Sequence, residues 1–255
     1  MIKKLVKKIV GINNVMYIQS FFLPESEKEM MKKRRAFYSQ FLKTGDTYYD
    51  IGANFGNRIQ PIIDMGLKIV AVEPQIECQK YLKCKFGKKI SIVPFGLGAA
   101  EDVKTMYISD LNTISTFSKD FITSTQKSGR FSRYKWSRER QIRLTTFDKL
   151  IKEYGIPRFA KIDVEGFEHE VLKGLTQPIE TISIEYAVPE QSDNAVQCLK
   201  RICEISGNKI RCNYSIGGSM EWALKEWLTP DQMIAEINSE RFIKTGFGDI
   251  YFQYK

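Results

Sequence analysis

At 255 residues with 43% apolar content, the chain is long enough to bury one substantial core, and its formal charge of +9 points to an acidic partner such as a nucleic acid, an anionic lipid surface or an anionic glycan. Five cysteines without a C-x-x-C pair, beside a single histidine, exclude a zinc set, and no metal site is expected. No apolar run approaches the roughly 18 residues of a spanning helix, and Lys7, Lys8, Asn13 and Asn14 break the pattern of a signal peptide, so a cytoplasmic location is expected.

In residues 1–12, Ile2, Leu5, Val6, Ile9 and Ile12 share one helical face opposite Lys3, Lys4, Lys7 and Lys8. That pattern suits a helix lying on anionic lipid, in peripheral contact with a membrane, or a terminal helix docked on its own domain. A second amphipathic helix is expected over 25–43, with Met30, Phe37, Phe41 and Leu42 inward, Lys32, Lys33, Arg34 and Arg35 mostly solvated, and Gly45 as its stop. Residues 1–45 thus read as a helical extension ahead of a domain over 46–255.

Residues 47–74 organise that domain. Tyr48, Tyr49, Asp50 and Ile51 form a strand-like run that stops at Gly52-Ala53-Asn54-Phe55-Gly56, and Lys68 to Val72 form a second that stops at Glu73-Pro74. We read strand, tight turn, helix, strand: the first unit of a doubly wound α/β sheet. Gly52 and Gly56 would let the backbone approach a ligand, and Glu73 sits where such units place the acid that grips a ribose. A dinucleotide fold wants G-x-G-x-x-G, but Asn54 and Asn57 hold the second and third glycine positions, which disfavours NAD. S-adenosylmethionine (SAM) needs no pyrophosphate cradle and fits the same turn; a purely structural turn is the alternative.

A helix over 75–86 leads to a third strand at 90–94 and then to Gly96-Leu97-Gly98, whose small residues leave room for an adenine. Residues 103–108 and 141–144 alternate and read as an added antiparallel pair. Between them, within an insertion over about 110–143, residues 119–143 carry eight cations against Asp120 and Glu139, interleaved with Phe121, Phe131, Tyr134 and Trp136. Such a stretch suits a substrate cover, a glycan surface, a single-strand nucleic-acid groove or a solvated loop.

A helix over 145–154, capped by Thr145 or Thr146 and stopped by Gly155, precedes the strand Phe159 to Ile162. That strand ends in the acid-rich turn Asp163-Val164-Glu165-Gly166, and a helix runs on to Leu175. Since ligands bind beyond the carboxyl ends of parallel strands, Asp50, Glu73 and Asp163 are expected in one crevice. Further on we expect a strand at 181–186, a helix over 193–206, irregular sequence with Gly217, Gly218, Trp222 and Trp227, a helix over 230–238 and a closing strand at 248–252.

With Asp50-Ile51-Gly52-Ala53-Asn54-Phe55-Gly56, Glu73-Pro74 and Lys161-Ile162-Asp163-Val164-Glu165-Gly166 in this order, the chain resembles the FkbM-type family of SAM-dependent methyltransferases. Thr145-Thr146-Phe147-Asp148 and Val171-Leu172-Lys173-Gly174 fit the same pattern. The resemblance implies a Rossmann-like class I methyltransferase fold: a mostly parallel seven-stranded sheet, helices on both faces, an antiparallel last strand. It further implies O-methylation, often of a sugar or polyketide hydroxyl. Asp50, Gly52, Asn54 and Gly56 would then line the methionine end of SAM, Glu73 its ribose, Gly96 and Leu97 its adenine, and Asp163 the methyl group. Asn57 to Pro61 depart from the family's helix start.

Methyl transfer to a hydroxyl needs a base, for which Asp163, Glu165 and Glu185 are the candidates; His169 reads as a surface helix residue. The expected partner is a glycan or small-molecule acceptor, anionic if the basic segment covers it. Two other functions stay open. A nucleic-acid methyltransferase would normally carry an Asn/Asp-Pro-Pro-Tyr run, which is absent, and a noncatalytic binding protein would not need Asp50, Gly52, Gly56 and Glu73 intact.

Overall fold

The computed structural model describes residues 25–254; the expected helix over 1–12 lies outside them. The chain runs α1 (Glu25–Tyr38), β1 (Thr47–Ile51), β2 (Lys68–Val72), α2 (Ile76–Phe86), β3 (Ile90–Val93), β4 (Gly96–Leu97), β5 (Asp102–Ile108), α3 (Lys119–Ser128), β6 (Arg138–Thr145), α4 (Phe147–Tyr154), β7 (Phe159–Ile162), α5 (Glu168–Lys173), β8 (Thr181–Ala187), α6 (Ser192–Ser206), β9 (Ile210–Ile216), α7 (Pro230–Ile237), α8 (Glu240–Ile243) and β10 (Phe247–Tyr254). Seven strands form one sheet in the order β3-β2-β1-β7-β8-β10-β9, and β10 alone runs antiparallel to its neighbours. This is the expected class I methyltransferase topology. β4, β6 and β5 make a separate three-stranded sheet, which contains the expected antiparallel pair.

The sheet is covered on both faces, so its central strands are apolar at nearly every position. Alternation still sorts their side chains. Tyr49, Val70 and Val72 join the core under α4, α5, α6 and α7, while Tyr48, Ile69 and Ala71 join a second core built from α1, α2 and the residues between β1 and β2. That second core is aromatic: Phe37 lies 4.7 Å from Trp222 and 5.3 Å from Tyr251, and Tyr38 and Phe41 lie 5.5 and 5.2 Å from Phe159. Such pairs add about 0.5–1.5 kcal/mol each beyond the buried area. They fasten α1 to the sheet.

Four expectations need correction. No α-helix joins β1 to β2; the stretch holds only a 3-10 turn, Gln60–Ile62, because Pro61 has no N–H to donate and sits at the turn's first positions. α1 stops at Tyr38 rather than running to residue 43, its last carbonyls being taken by the Ser39 hydroxyl and by the tight turn at Phe41 and Leu42. The stretch read as irregular after residue 206 contains the edge strand β9, whose apolar positions alternate with Arg211, Asn213 and Ser215. Residues 119–143 are no simple loop, since they form α3, a turn and most of β6.

Candidate functional site

Register decides what faces what at the carboxyl edge of the sheet. Ile51 pairs with Val72 and Ile162, Val72 with Val93, and Ile162 with Ile184. The next residues along, Glu73, Gly52, Asp163 and Glu185, therefore stand in one row, and Glu185 pairs with Asp249 of β10. One row thus carries four carboxylates. Glu73, Asp163 and Glu185 border a cleft of about 340 Å³ whose wall also includes Asp50, Asn54, Glu165, Gly96, Leu97, Met106, Phe117, Arg34 and Arg58, while Asp249 is buried beside it.

The turns behind these acids are rigid. At Gly52 φ is +84°, and a Cβ there would run into the Asp163 carbonyl oxygen, so glycine is required by the close passage of β1 and β7 rather than by a ligand. Glu73 is held at both ends: Asn54 N donates to Oε2 at 2.8 Å and Gln75 N to Oε1 at 2.6 Å. Burial pushes its carboxyl up to about 7, with those two N–H groups opposing the rise. The Asp163 turn is tied by the buried Glu168, whose Oε1 accepts from Val164 N at 3.0 Å and Gly166 N at 3.2 Å while Asn194 donates to Oε2 at 2.6 Å. Glu165 itself sits at φ +56°, a conformation unusual for a side chain of its size and one that clusters at functional sites.

An ion chain runs beneath the row. Lys161 Nζ, 1% exposed, lies 2.7 Å from Asp163 and 3.2 Å from Asp249, and Arg58 reaches the other Asp249 oxygen at 3.2 Å. Burial pushes the Asp163 carboxyl up, but Lys161 more than offsets this and holds it below the usual carboxylate range. Glu165 and Glu185 have no ion-pair partner among the described residues. Burial, and then the Asp163 charge, push both well above the usual range. Asp163, Glu165 and Glu185 bring oxygens within 4.8 Å of one another, so a carboxyl shifted down stands beside two shifted up, an arrangement suited to passing a proton; three oxygens this close also have the spacing of a cation site.

The wall fits SAM on several counts. Asp50 is 2% exposed and its Oδ2 has no hydrogen-bond partner among the described residues, leaving a buried acceptor for an ammonium group. Burial pushes it up to about 6, opposed by Lys161 and reinforced by Asp163. Each Glu73 oxygen has one backbone donor and a lone pair to spare for a hydroxyl. Leu97, Met106 and Phe117 supply an apolar flank, and the excess of carboxylates suits a sulfonium cation.

Of the residues read from the sequence, Asp50, Gly52, Asn54, Glu73, Gly96, Leu97, Asp163, Glu165 and Glu185 meet at this cleft. Gly56 does not: it is buried, and a Cβ there would crowd Phe86 and Leu82 of α2. At Gly96 a Cβ would come within 3.0 Å of Phe117, so its small size seats the cleft wall. His169 lies on a separate outer groove with Lys119. The basic segment does not cover the cleft. None of residues 119–143 is on its wall, and their charges are used elsewhere: Arg130 makes a two-pronged pair with Glu190 and caps the Val188 and Gly246 carbonyls, Arg140 pairs with Glu77, Arg143 lies over Phe95, and Trp136 donates to the Ile114 carbonyl. Thr113, Ser115 and Phe117, just before it, line the cleft instead, and Gln75 ties this stretch to β2 through the Asn112 carbonyl at 3.1 Å.

Sequence reasoning missed Lys161, Asp249, Glu168, Arg34 and Arg58. A lysine and an aspartate inside apolar strand runs were a signal for the first two; Arg34 and Arg58 gave none.

A family model described as the methyltransferase FkbM domain matches residues 50–214. Solved structures similar to this chain include an O-methyltransferase from Bacillus cereus in complex with SAH, 13% identical, covering 100% of this chain and 97% of that one with a TM-score of 0.42. Others are a TehB-like SAM-dependent methyltransferase from Corynebacterium glutamicum, 10% identical over 88% of each chain with a TM-score of 0.44, and a precorrin-6y C5,15-methyltransferase from Geobacter metallireducens, 11% identical over 87% of each with a TM-score of 0.43. No curated protein matches the chain. No helix among the described residues is long and apolar enough to cross a membrane.

Proposed function

Because this chain belongs to the FkbM methyltransferase family, SAM is its cofactor and methyl transfer its chemistry; we propose that the methyl group goes to a hydroxyl oxygen of a glycan or small metabolite. The observation that carries the oxygen assignment is the carboxylate trio with one member kept ionised by Lys161. A hydroxyl is a poor nucleophile until a base stands ready for its proton, and an amine acceptor has less need of one.

Bound SAM supplies a methyl group already activated on sulfur, so the protein's task is alignment and proton removal. Glu73 would hold the ribose hydroxyls on the lone pairs that the Asn54 and Gln75 N–H groups leave free. Asp50 would accept from the ammonium group, and Leu97, Met106 and Phe117 would flank the adenine. Asp163, the ionised member, takes the acceptor proton as the new bond forms. Glu185 donates a hydrogen bond to it and steadies the charge.

The amide variants Asp163→Asn, Glu165→Gln and Glu185→Gln test this against a panel of hydroxyl-bearing acceptors with labelled SAM. We expect all three to bind S-adenosylhomocysteine, and the variant lacking the base to lose about 10²–10⁴-fold in turnover. If Asp163 is that base, the wild-type rate stays level as pH falls to the ordinary carboxylate value of 3.8, because its own value lies lower. A rate that climbs with pH beyond neutrality would assign the role to Glu165 or Glu185. Three fully active variants, or a methylated nitrogen in the product, would sink the reading.

A further inference from the structure

α1 presents one face to the sheet, and that face does not end where its apolar residues end. Phe37 and Tyr38 are buried in the aromatic core, and Arg34, three and four positions earlier, lies on the same side of the helix. Its guanidinium is thereby carried onto the wall of the cleft, next to Arg58. Its neighbours Lys32, Lys33 and Arg35 are exposed, as the sequence suggests. Gly218 lies alongside; even a Cβ there would stand 3.9 Å from Arg34 Nη2, so the loop after β9 leaves the guanidinium room.

Arg34 differs from Arg58, the other cation on the cleft wall, and from the buried Lys161 beneath it, in having no hydrogen-bond or ion-pair partner among the described residues. Lys161 and Arg58 are both paired with Asp249. Arg34 Nε is buried without a hydrogen bond, and no ion pair involves Arg34 among the described residues. Burial, followed by repulsion from Arg58, pulls its pKa down. A half-buried cation beside a second cation is costly unless an anion joins them.

We propose that Arg34, with Arg58 behind it, binds an anionic group, a carboxylate or a phosphate, on a molecule held in the cleft. The rest of the wall is lined with carboxylates, so this corner is where a negative group can enter. The proposal rests on the methyltransferase reading, which offers two sources for such a group: the α-carboxylate at the methionine end of SAM, or an acidic substituent on the acceptor. Arg34 lies before residue 50, outside the residues that the family model matches.

Calorimetry on wild type, Arg34→Ala and Arg34→Lys separates the outcomes, with S-adenosylhomocysteine, 5′-methylthioadenosine and inorganic phosphate as probes. Methylthioadenosine has the same nucleoside but no carboxylate. If the cofactor supplies the anion, Arg34→Ala weakens S-adenosylhomocysteine binding about 10- to 100-fold, leaves methylthioadenosine unchanged, and Arg34→Lys recovers part of the loss. If the acceptor supplies it, cofactor affinity holds, while phosphate binds the wild type saturated with S-adenosylhomocysteine and not the alanine variant. The proposal is overturned if Arg34→Ala changes neither S-adenosylhomocysteine nor phosphate binding, or weakens both nucleosides equally, which would mean a general distortion of the cleft. A wild type that binds no S-adenosylhomocysteine overturns the cofactor reading instead, and the phosphate titration without nucleoside still decides Arg34.

Discussion

The acid row at the carboxyl edge of the main sheet and the basic stretch from residue 119 to 143 carry opposite charge, and the structure treats them oppositely. In the basic stretch the charges are largely matched: Arg130 meets Glu190 and two carbonyls, Arg140 meets Glu77, and Arg133 and Arg143 lie over aromatic rings. At the acid row Glu73, Asp163 and Glu185, joined by Asp50 and Glu165, line the cleft with too few cations to match them, Lys161 and Arg58 both being paired with the buried Asp249. Charges that are neutralised nearby hold a surface together. Charges left unmatched in a concave, half-buried place shift in pKa and wait for a ligand.

The strongest way to break this contrast is to remove the cation beneath the row. Lys161→Met leaves the buried Asp249 and the partly buried Asp163 without their shared partner, and we expect a loss of about 3–5 kcal/mol in denaturant unfolding. A loss below about 1 kcal/mol would show that the acids keep their protons and need no counter-charge.

Glu73 sharpens it through pH. In the ligand-free fold its carboxyl holds a proton up to about 7, against an ordinary value of 4.5. The native state thus binds more protons than the unfolded chain across that window, so the stability this provides is complete below it and is lost as pH rises through about 7. Cofactor binding runs the other way, because ribose hydroxyls favour the ionised form. Calorimetry should show S-adenosylhomocysteine affinity rising with pH to about 7 and levelling above it, a slope absent from Glu73→Gln. The alanine variant should lose about 1.5–3 kcal/mol of binding at neutral pH.

The smallest effects belong to the basic stretch. Arg130→Ala, which strands Glu190, should cost about 1–3 kcal/mol of stability without touching cofactor affinity. Changing Arg133 and Arg138 to Ser should stay within about 0.5 kcal/mol and leave turnover unaltered. Turnover that fell with these two changes would return the segment to the acceptor site.

Sequence alone determined the parts of this protein that depend on local geometry. A strand that stops at Asp50-Ile51-Gly52, one that stops at Glu73-Pro74 and one that stops at Asp163-Val164-Glu165-Gly166 are each legible because apolar runs and turn residues are neighbours along the chain, and their common order carries the family. Only the tertiary structure decided how those stops combine. Strand register put Glu73, Asp163, Glu185 and Asp249 in one row, although Glu73 and Asp249 are far apart in the chain and no pattern links them. Sheet burial turned Lys161 from a motif letter into the counter-ion of that row. The docking of α1 through Phe37 and Tyr38 turned Arg34 from one of four adjacent cations into the one that enters the cleft. A charge run reads as solvated because helical periodicity does not say which side will meet a partner; that was settled by the aromatic core one helical turn along from Arg34.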